Sequence, residues 1–241
     1  MQGNASTWEA FWRERPVEDG ATLWDVDPAE AVERQLPVLR DWFTPGLPVA
    51  DVGCGNGRQT GALAAHFERV LGYDVSASAL EAARRLHPHP NVAYRELDLC
   101  DRGAAARLHA EFGDQNVYVR TVLHQLPDGL RQSAADSLAA LLGERGHGYV
   151  IELAPEASEL FAAWPRTGEG PSKLDDILAA GLVPARMAPG ELEKVLTGAG
   201  LELVETGGFL GSSVESGDAG ALTVPMRYAR VRRGGDRADA E

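Results

Sequence analysis

The stretch VADVGCGNG, residues 49–57, decides how this chain is read. A short apolar strand runs into glycines at 53, 55 and 57, and a helical pattern follows at once. Glycine lets a strand turn sharply into a helix while a ligand comes close to the backbone. The helix start adds free N–H groups and a partial positive charge. The spacing is G-x-G-x-G with Arg58 next, so the dinucleotide pattern G-x-G-x-x-G is not met. Asp51, two residues before the first glycine, would repel a pyrophosphate and attract an ammonium group.

Outward from this turn, extended and helical patterns alternate. Strands are expected at 47–52, 69–74, 92–97, 117–123, 148–153, 201–206 and 221–232. Alternation of this kind builds a doubly wound α/β domain around a mostly parallel sheet. The helix after the second strand carries Ser78-x-x-Glu81, a capping-box spacing, and His87-Pro88-His89-Pro90 stops it. Asp101 and Asp128 are placed to open later helices. Residues 1–44 form an expected helical arm carrying Trp8, Phe11, Trp12, Trp24 and Trp42, and residues 45–233 the main domain. Regularity fails over 155–188, rich in proline and glycine, which reads as a cap insertion beside the site, and 234–241 as a disordered tail.

Composition narrows the partners. The 241 residues carry a net charge of −13, and no basic stripe breaks the acidity. The sole basic cluster, Arg227, Arg230, Arg232 and Arg233, alternates like a strand. A nucleic-acid substrate, which draws on Lys and Arg contacts to phosphate, is therefore not expected. No apolar run is long enough to cross a bilayer, and Met1 to Thr7 lacks the pattern of a signal peptide. The two cysteines, Cys54 and Cys100, form no disulfide framework, and no metal-binding spacing occurs. A cytoplasmic protein without a metal is expected.

Two further acids close strands: Asp74 ends GYD, and Asp98 ends ELD. In a parallel sheet such ends line up along the edge where open α/β domains bind ligands. Asp74 suits a ribose diol. Asp98 suits an exocyclic amine, with the Leu99 N–H for a ring nitrogen, and the glycine turn suits an amino-acid end. S-adenosylmethionine presents these groups together without a pyrophosphate.

The motifs resemble the class I S-adenosylmethionine-dependent methyltransferases of small-molecule type. DVGCGNG is similar to that family's first motif, LGYDVSASALEAAR to its second and YRELDL to its third, while VYVRTVLHQLPDG resembles the fourth-strand segment. The resemblance implies a seven-stranded Rossmann-like sheet with its last strand antiparallel. It places Asp51, Gly53, Cys54, Gly55, Asn56 and Gly57 at the methionine part of the cofactor. Asp74 and Val75 fall at the ribose, Asp98 and Leu99 at the adenine, and Arg120 beside the ligand. The alternatives are a methyltransferase-like cyclase or a cofactor-binding protein without net transfer.

An activated methyl needs alignment more than acid–base help. His124 is the candidate general base, since it follows the fourth strand and titrates in a useful range. Glu152, at the end of the fifth strand, is the second candidate base; Trp12, Glu152 and Trp164 join His124 as candidate substrate contacts, and Trp8, Phe11 or Trp12 as a lid. Phe161, Trp164, Leu174, Ile177, Leu178 and Met187 would give the cap an apolar pocket, favouring a hydrophobic or aromatic acceptor methylated on O, N or C, possibly in secondary metabolism.

Overall fold

Strand β1 (Val49–Val52) is buried at all four residues, as a central parallel strand covered on both faces must be. In the computed structural model, which describes residues 5–14, 18–20, 22, 24–163, 179–182, 186–215 and 221–235, β1 lies between β2 (Val70–Asp74) and β4 (Asn116–Arg120). With β3 (Val92–Glu96), β5 (His147–Leu153), β6 (Leu201–Glu215) and β7 (Ala221–Arg233), the sheet has the order β3-β2-β1-β4-β5-β7-β6. The first five strands are parallel, and β7 runs antiparallel to both β5 and β6. Strand order reverses between β1 and β4, which leaves a crevice at their carboxyl ends.

Helices follow the strands: α3 (Arg58–Ala64), α4 (Ala77–Leu86), α5 (Arg102–Phe112), α6 (Asp128–Leu142) and, later, α8 (Glu191–Gly198). One sheet face packs Leu71, Val119, Leu138 and Leu196, and the other packs Leu39, Leu63, Tyr118 and Ile151. Ahead of β1 come α1 (Ala5–Glu14), a π-turn (Ala29–Glu33) and α2 (Leu36–Trp42). Trp42 stacks on His147 and donates to the Gly148 carbonyl (2.9 Å), fastening α2 to the amino end of β5. Asp101 caps α5 as its position predicts, accepting from Gly103 and Ala104.

Most strand ends fall within two residues of the sequence reading, and three boundaries differ in kind or by more. β4 stops at Arg120 instead of running to 123, because Thr121 takes a positive φ of 59° and Leu123–Gln125 winds into a single 3₁₀ turn. β6 continues through Gly207, Gly208 and Gly211 to Glu215, well past the expected end at 206. Those glycines serve a long hairpin with β7, and a side chain at Gly207 would collide with the Tyr228 ring. The N-cap of α4 is Ser76, whose hydroxyl accepts from Ala79 (3.1 Å), and not Ser78. Ser78 bonds to Glu9 of α1 instead.

Of the expected cap, α7 (Ala157–Ala163) and residues 179–182 and 186–188 are described. Trp164, Leu174, Ile177 and Leu178 lie outside the described residues, as does 236–241 of the expected tail. Met187 packs into the core with Leu192 and Leu196 instead of lining a pocket. The β7 arginines are each paired with a glutamate: Arg227 with Glu193, Arg230 with Glu205, Arg232 with Glu202 and Arg233 with Glu144. No described helix is long and apolar enough to cross a membrane.

Candidate functional site

The glycine turn lies at the crevice because β1 must leave the sheet there. Gly53 has φ 76°, and a Cβ on it would run into Val122 Cγ2 from the segment after β4. Gly55, at φ 53°, holds the indole edge of Trp12 where a Cβ would stand 3.0 Å from Cζ2. Both positions exclude a side chain on conformational and steric grounds. Gly57 meets Tyr94 and Ala83 of α4 and lies behind the crevice wall.

Two adjoining chambers open above this turn. The larger, about 800 Å³ including its open mouth, has Asp74 and Val75 after β2, and Asp98, Leu99 and Cys100 after β3, along one wall. Its opposite side is Val122, Gln125 and Leu126. The smaller, about 450 Å³, lies over Asp51, Cys54, Asn56, Gln59 and Tyr118. Trp12, Trp24, Gly53, Gly55, Arg120 and Thr121 belong to both. Among the described residues of the arm, Ala5, Trp8, Trp12 and Trp24 make the roof. Phe11 sits behind them, buried against Trp8, Trp12 and Trp24, and holds the rings together from outside the chambers.

Charge is concentrated on Asp51, Asp74, Asp98 and Arg120 along the chamber lining. Asp51 is buried, accepts from Thr60 Oγ1 (2.6 Å), and is pushed up to about 7 by its desolvation. Asp74 accepts from the Gly55 and Ser76 backbone N–H groups (2.8 and 2.9 Å), and burial raises its pKa. Asp98 accepts from Cys100 N (2.8 Å). Burial pulls the Arg120 guanidinium below its usual range and pushes the Cys100 thiol up to about 11. Cys54 packs with Leu80, Ala83 and Tyr94, its thiol pushed well up by burial.

The arm is tied to the turn by residues with no obvious signature in the sequence. Asp25 accepts from Asn56 Nδ2 (2.8 Å) and pairs with Arg58 (3.4 Å). Glu9 accepts from the hydroxyls of Ser76 (2.7 Å) and Ser78 (2.6 Å), which draw its pKa down. Arg120 donates to the Trp24 carbonyl (3.5 Å).

His124 and Glu152 are not on the chamber wall. His124 is 2% exposed and Glu152 is fully buried. The Glu152 carboxylate accepts from the backbone N–H groups of Val122 (2.9 Å), Leu123 (2.7 Å) and His124 (3.4 Å), and touches His124 Nδ1 at 2.6 Å. A carboxylate at the start of the 3₁₀ turn satisfies amides that would otherwise be stranded. His124 Nε2 lies 2.8 Å from the side-chain nitrogen of Gln125. Both ring nitrogens of His124 thus have side-chain partners, and the ring lies outside the lining of the two chambers. Gln125, which the sequence reading passed over, holds the wall position instead.

A seven-stranded sheet with this order, an antiparallel β7 and a crevice at the glycine turn define a Rossmann-like methyltransferase domain. A model of the methyltransferase domain family matches residues 49–146. A solved S-adenosylmethionine-dependent methyltransferase from Anabaena variabilis is 34% identical, superposes with a TM-score of 0.87, and the match covers 95% of this chain and 94% of that one. This chain belongs to the S-adenosylmethionine-dependent methyltransferases. N-demethylindolmycin N-methyltransferase of Streptomyces griseus is 33% identical over 78 residues, a match covering 32% of this chain and 33% of that relative's length. The N-methyltransferase NodS of Bradyrhizobium japonicum, solved with S-adenosyl-L-homocysteine, shares the fold at 19% identity and a TM-score of 0.59, covering 94% of this chain and 98% of that one.

Proposed function

We propose that this chain moves the methyl group of S-adenosylmethionine onto a small, uncharged, flat acceptor in the larger chamber. The observation that carries the reading is the row of Asp51, Asp74 and Asp98, at or just past the carboxyl ends of three adjacent strands, along the walls of the chambers. In this reading Asp74 binds the ribose diol beside Val75. Asp98 and the Leu99 N–H read the adenine. Asp51 and Arg120, of opposite charge, suit the ammonium and carboxylate of the methionine end, with Gly53, Gly55 and Asn56 shaping its bed.

The cofactor supplies an activated methyl on a sulfonium. The chain's own contribution is to hold the acceptor in line and exclude water, which can supply several kcal/mol. Trp8, Trp12 and Trp24 roof the chamber, and the Val122, Gln125 and Leu126 side adds one neutral polar group among apolar ones. Such a wall favours a flat molecule without net charge. The likeness to N-demethylindolmycin N-methyltransferase points to nitrogen as the nucleophile. Two unpaired cysteines favour the cytoplasm.

Calorimetry with S-adenosylhomocysteine tests the reading. The wild-type chain is expected to bind it, and Asp74→Ala to weaken binding at least about tenfold, as loss of a buried charged acceptor does. A wild-type chain that ignores this ligand while binding NADH would refute the assignment.

A further inference from the structure

We propose that the ammonium of the cofactor's methionine end pins the arm to the floor of the site, held between Asp25 of the arm and Asp51 of the floor with Gln59 beside them. This inference rests on the functional reading above, and gives Asp25 and Gln59 a part in choosing the cofactor.

The smaller chamber is where arm and floor meet. Trp12, Trp24 and Asp25 reach it from the arm, and Asp51, Asn56 and Gln59 from the floor. Both acids are buried. Asp51 accepts from Thr60 on Oδ2 (2.6 Å), and among the described residues its Oδ1 takes no hydrogen bond. Asp25 accepts on Oδ2 from the Gly20 N–H (2.6 Å) and from Asn56 Nδ2 (2.8 Å). Among the described residues its Oδ1 has a long contact with Arg58, at 3.4 Å, and no closer donor. That arginine is shared, since it also stands 3.7 Å from Asp27 and 4.0 Å from Asp19. Two buried carboxylates therefore border one small space, each with accepting capacity left.

Gln59 points independently to a ligand that donates. Its side-chain nitrogen donates to the Val26 carbonyl of the arm (2.9 Å), which fixes the sense of the amide. Its oxygen is buried and has no hydrogen-bond partner among the described residues. Folded chains leave few buried acceptors in that state without a reason. An ammonium carries three N–H donors and a full charge, and two carboxylates with one amide oxygen match it in number and sign. With Asp25 on the arm and the other two acceptors on the floor, a bound ammonium bridges the seam. It joins the Asn56–Asp25 and Gln59–Val26 bonds that already cross there. A ligand without the amine would bring only its carboxylate toward two buried acids, so the chamber selects by repulsion as well as by attraction.

Calorimetry on the full chain with three ligands tests this. They are S-adenosylhomocysteine, its deamino analogue 5′-S-(3-carboxypropyl)-5′-thioadenosine, and 5′-methylthioadenosine, which lacks the whole amino-acid end. Wild-type protein should prefer the first to the second by about a hundredfold, the scale of buried charged hydrogen bonds. Asp25→Asn should cut that preference about tenfold, weakening S-adenosylhomocysteine and leaving the deamino analogue within about twofold. Gln59→Leu should cut it about threefold. 5′-Methylthioadenosine should bind the wild type and both variants alike, which also shows that the variants are folded. An Asp25 that merely holds the arm would weaken all three ligands together, and that result overturns the proposal. A wild-type preference below about threefold does the same. Hydrogen exchange reads the pin directly: at saturation, amides of residues 5–14 and 24–26 should slow with S-adenosylhomocysteine and not with the deamino analogue. Equal slowing by both ligands overturns it. A wild type that binds none of the three would strike the functional reading instead.

Discussion

The floor and the roof of the site are built by different means. The floor is backbone: a glycine turn between buried parallel strands, with Asp51, Asp74 and Asp98 at or beside strand ends whose register the sheet dictates. The roof is side chain: Trp8, Trp12 and Trp24 on an arm held by Glu9, Asp25 and Arg120 through a handful of polar contacts. Burial also separates them. Asp51 and Asp74 are almost wholly enclosed, whereas Glu9 is partly exposed. A backbone floor cannot adapt without unfolding; a roof of rings can lift and return.

The largest effect should come from attacking the floor. Gly53→Ala meets both the φ of 76° and the Val122 side chain. Strain and overpacking together should cost about 2–5 kcal/mol, read by urea unfolding, with S-adenosylhomocysteine binding lost. An alanine variant as stable as wild type would mean that the turn is softer than its neighbours require.

A smaller effect lies in the titration of Asp51. If its carboxylate pairs with the ligand ammonium, affinity should fall as pH drops below about 7, by up to about tenfold per pH step. Asp51→Asn should flatten that profile. The sign for stability is opposite: the folded chain keeps this proton to higher pH than the unfolded chain, so the group's contribution declines as pH rises from near 4 to about 7. A pH-independent affinity in the wild type would remove Asp51 from the floor's chemistry.

The smallest effect tests the roof. Glu9→Gln weakens the bonds to Ser76 and Ser78 and should cost about 1 kcal/mol, the scale of a helix cap. Its signature is about fivefold faster dissociation of S-adenosylhomocysteine by stopped flow, the kinetic equivalent of about 1 kcal/mol. Equal dissociation rates would show that the arm does not cover the ligand.

This same division explains what was legible in the sequence. The turn, Asp74 and Asp98 were readable because strand, turn and helix are consecutive, and the sheet converts their spacing into position. Trp12 was readable as an aromatic on an arm, though not its seat on Gly55. Glu9, Asp25 and Gln125 were missed, since each acts through a partner far away in the chain or beneath the wall. His124 and Glu152 read as titratable groups at strand ends, and the fold pairs them with each other and with the backbone of the 3₁₀ turn. The stop of β4 at Arg120 was hidden because Thr121, a β-branched residue, is a poor advertisement for a positive φ.

Trp12 and Trp24 wall both chambers at once. Any swing of the arm that uncovers one therefore uncovers the other. On the proposed function, spent cofactor and finished product would then be released by one and the same movement.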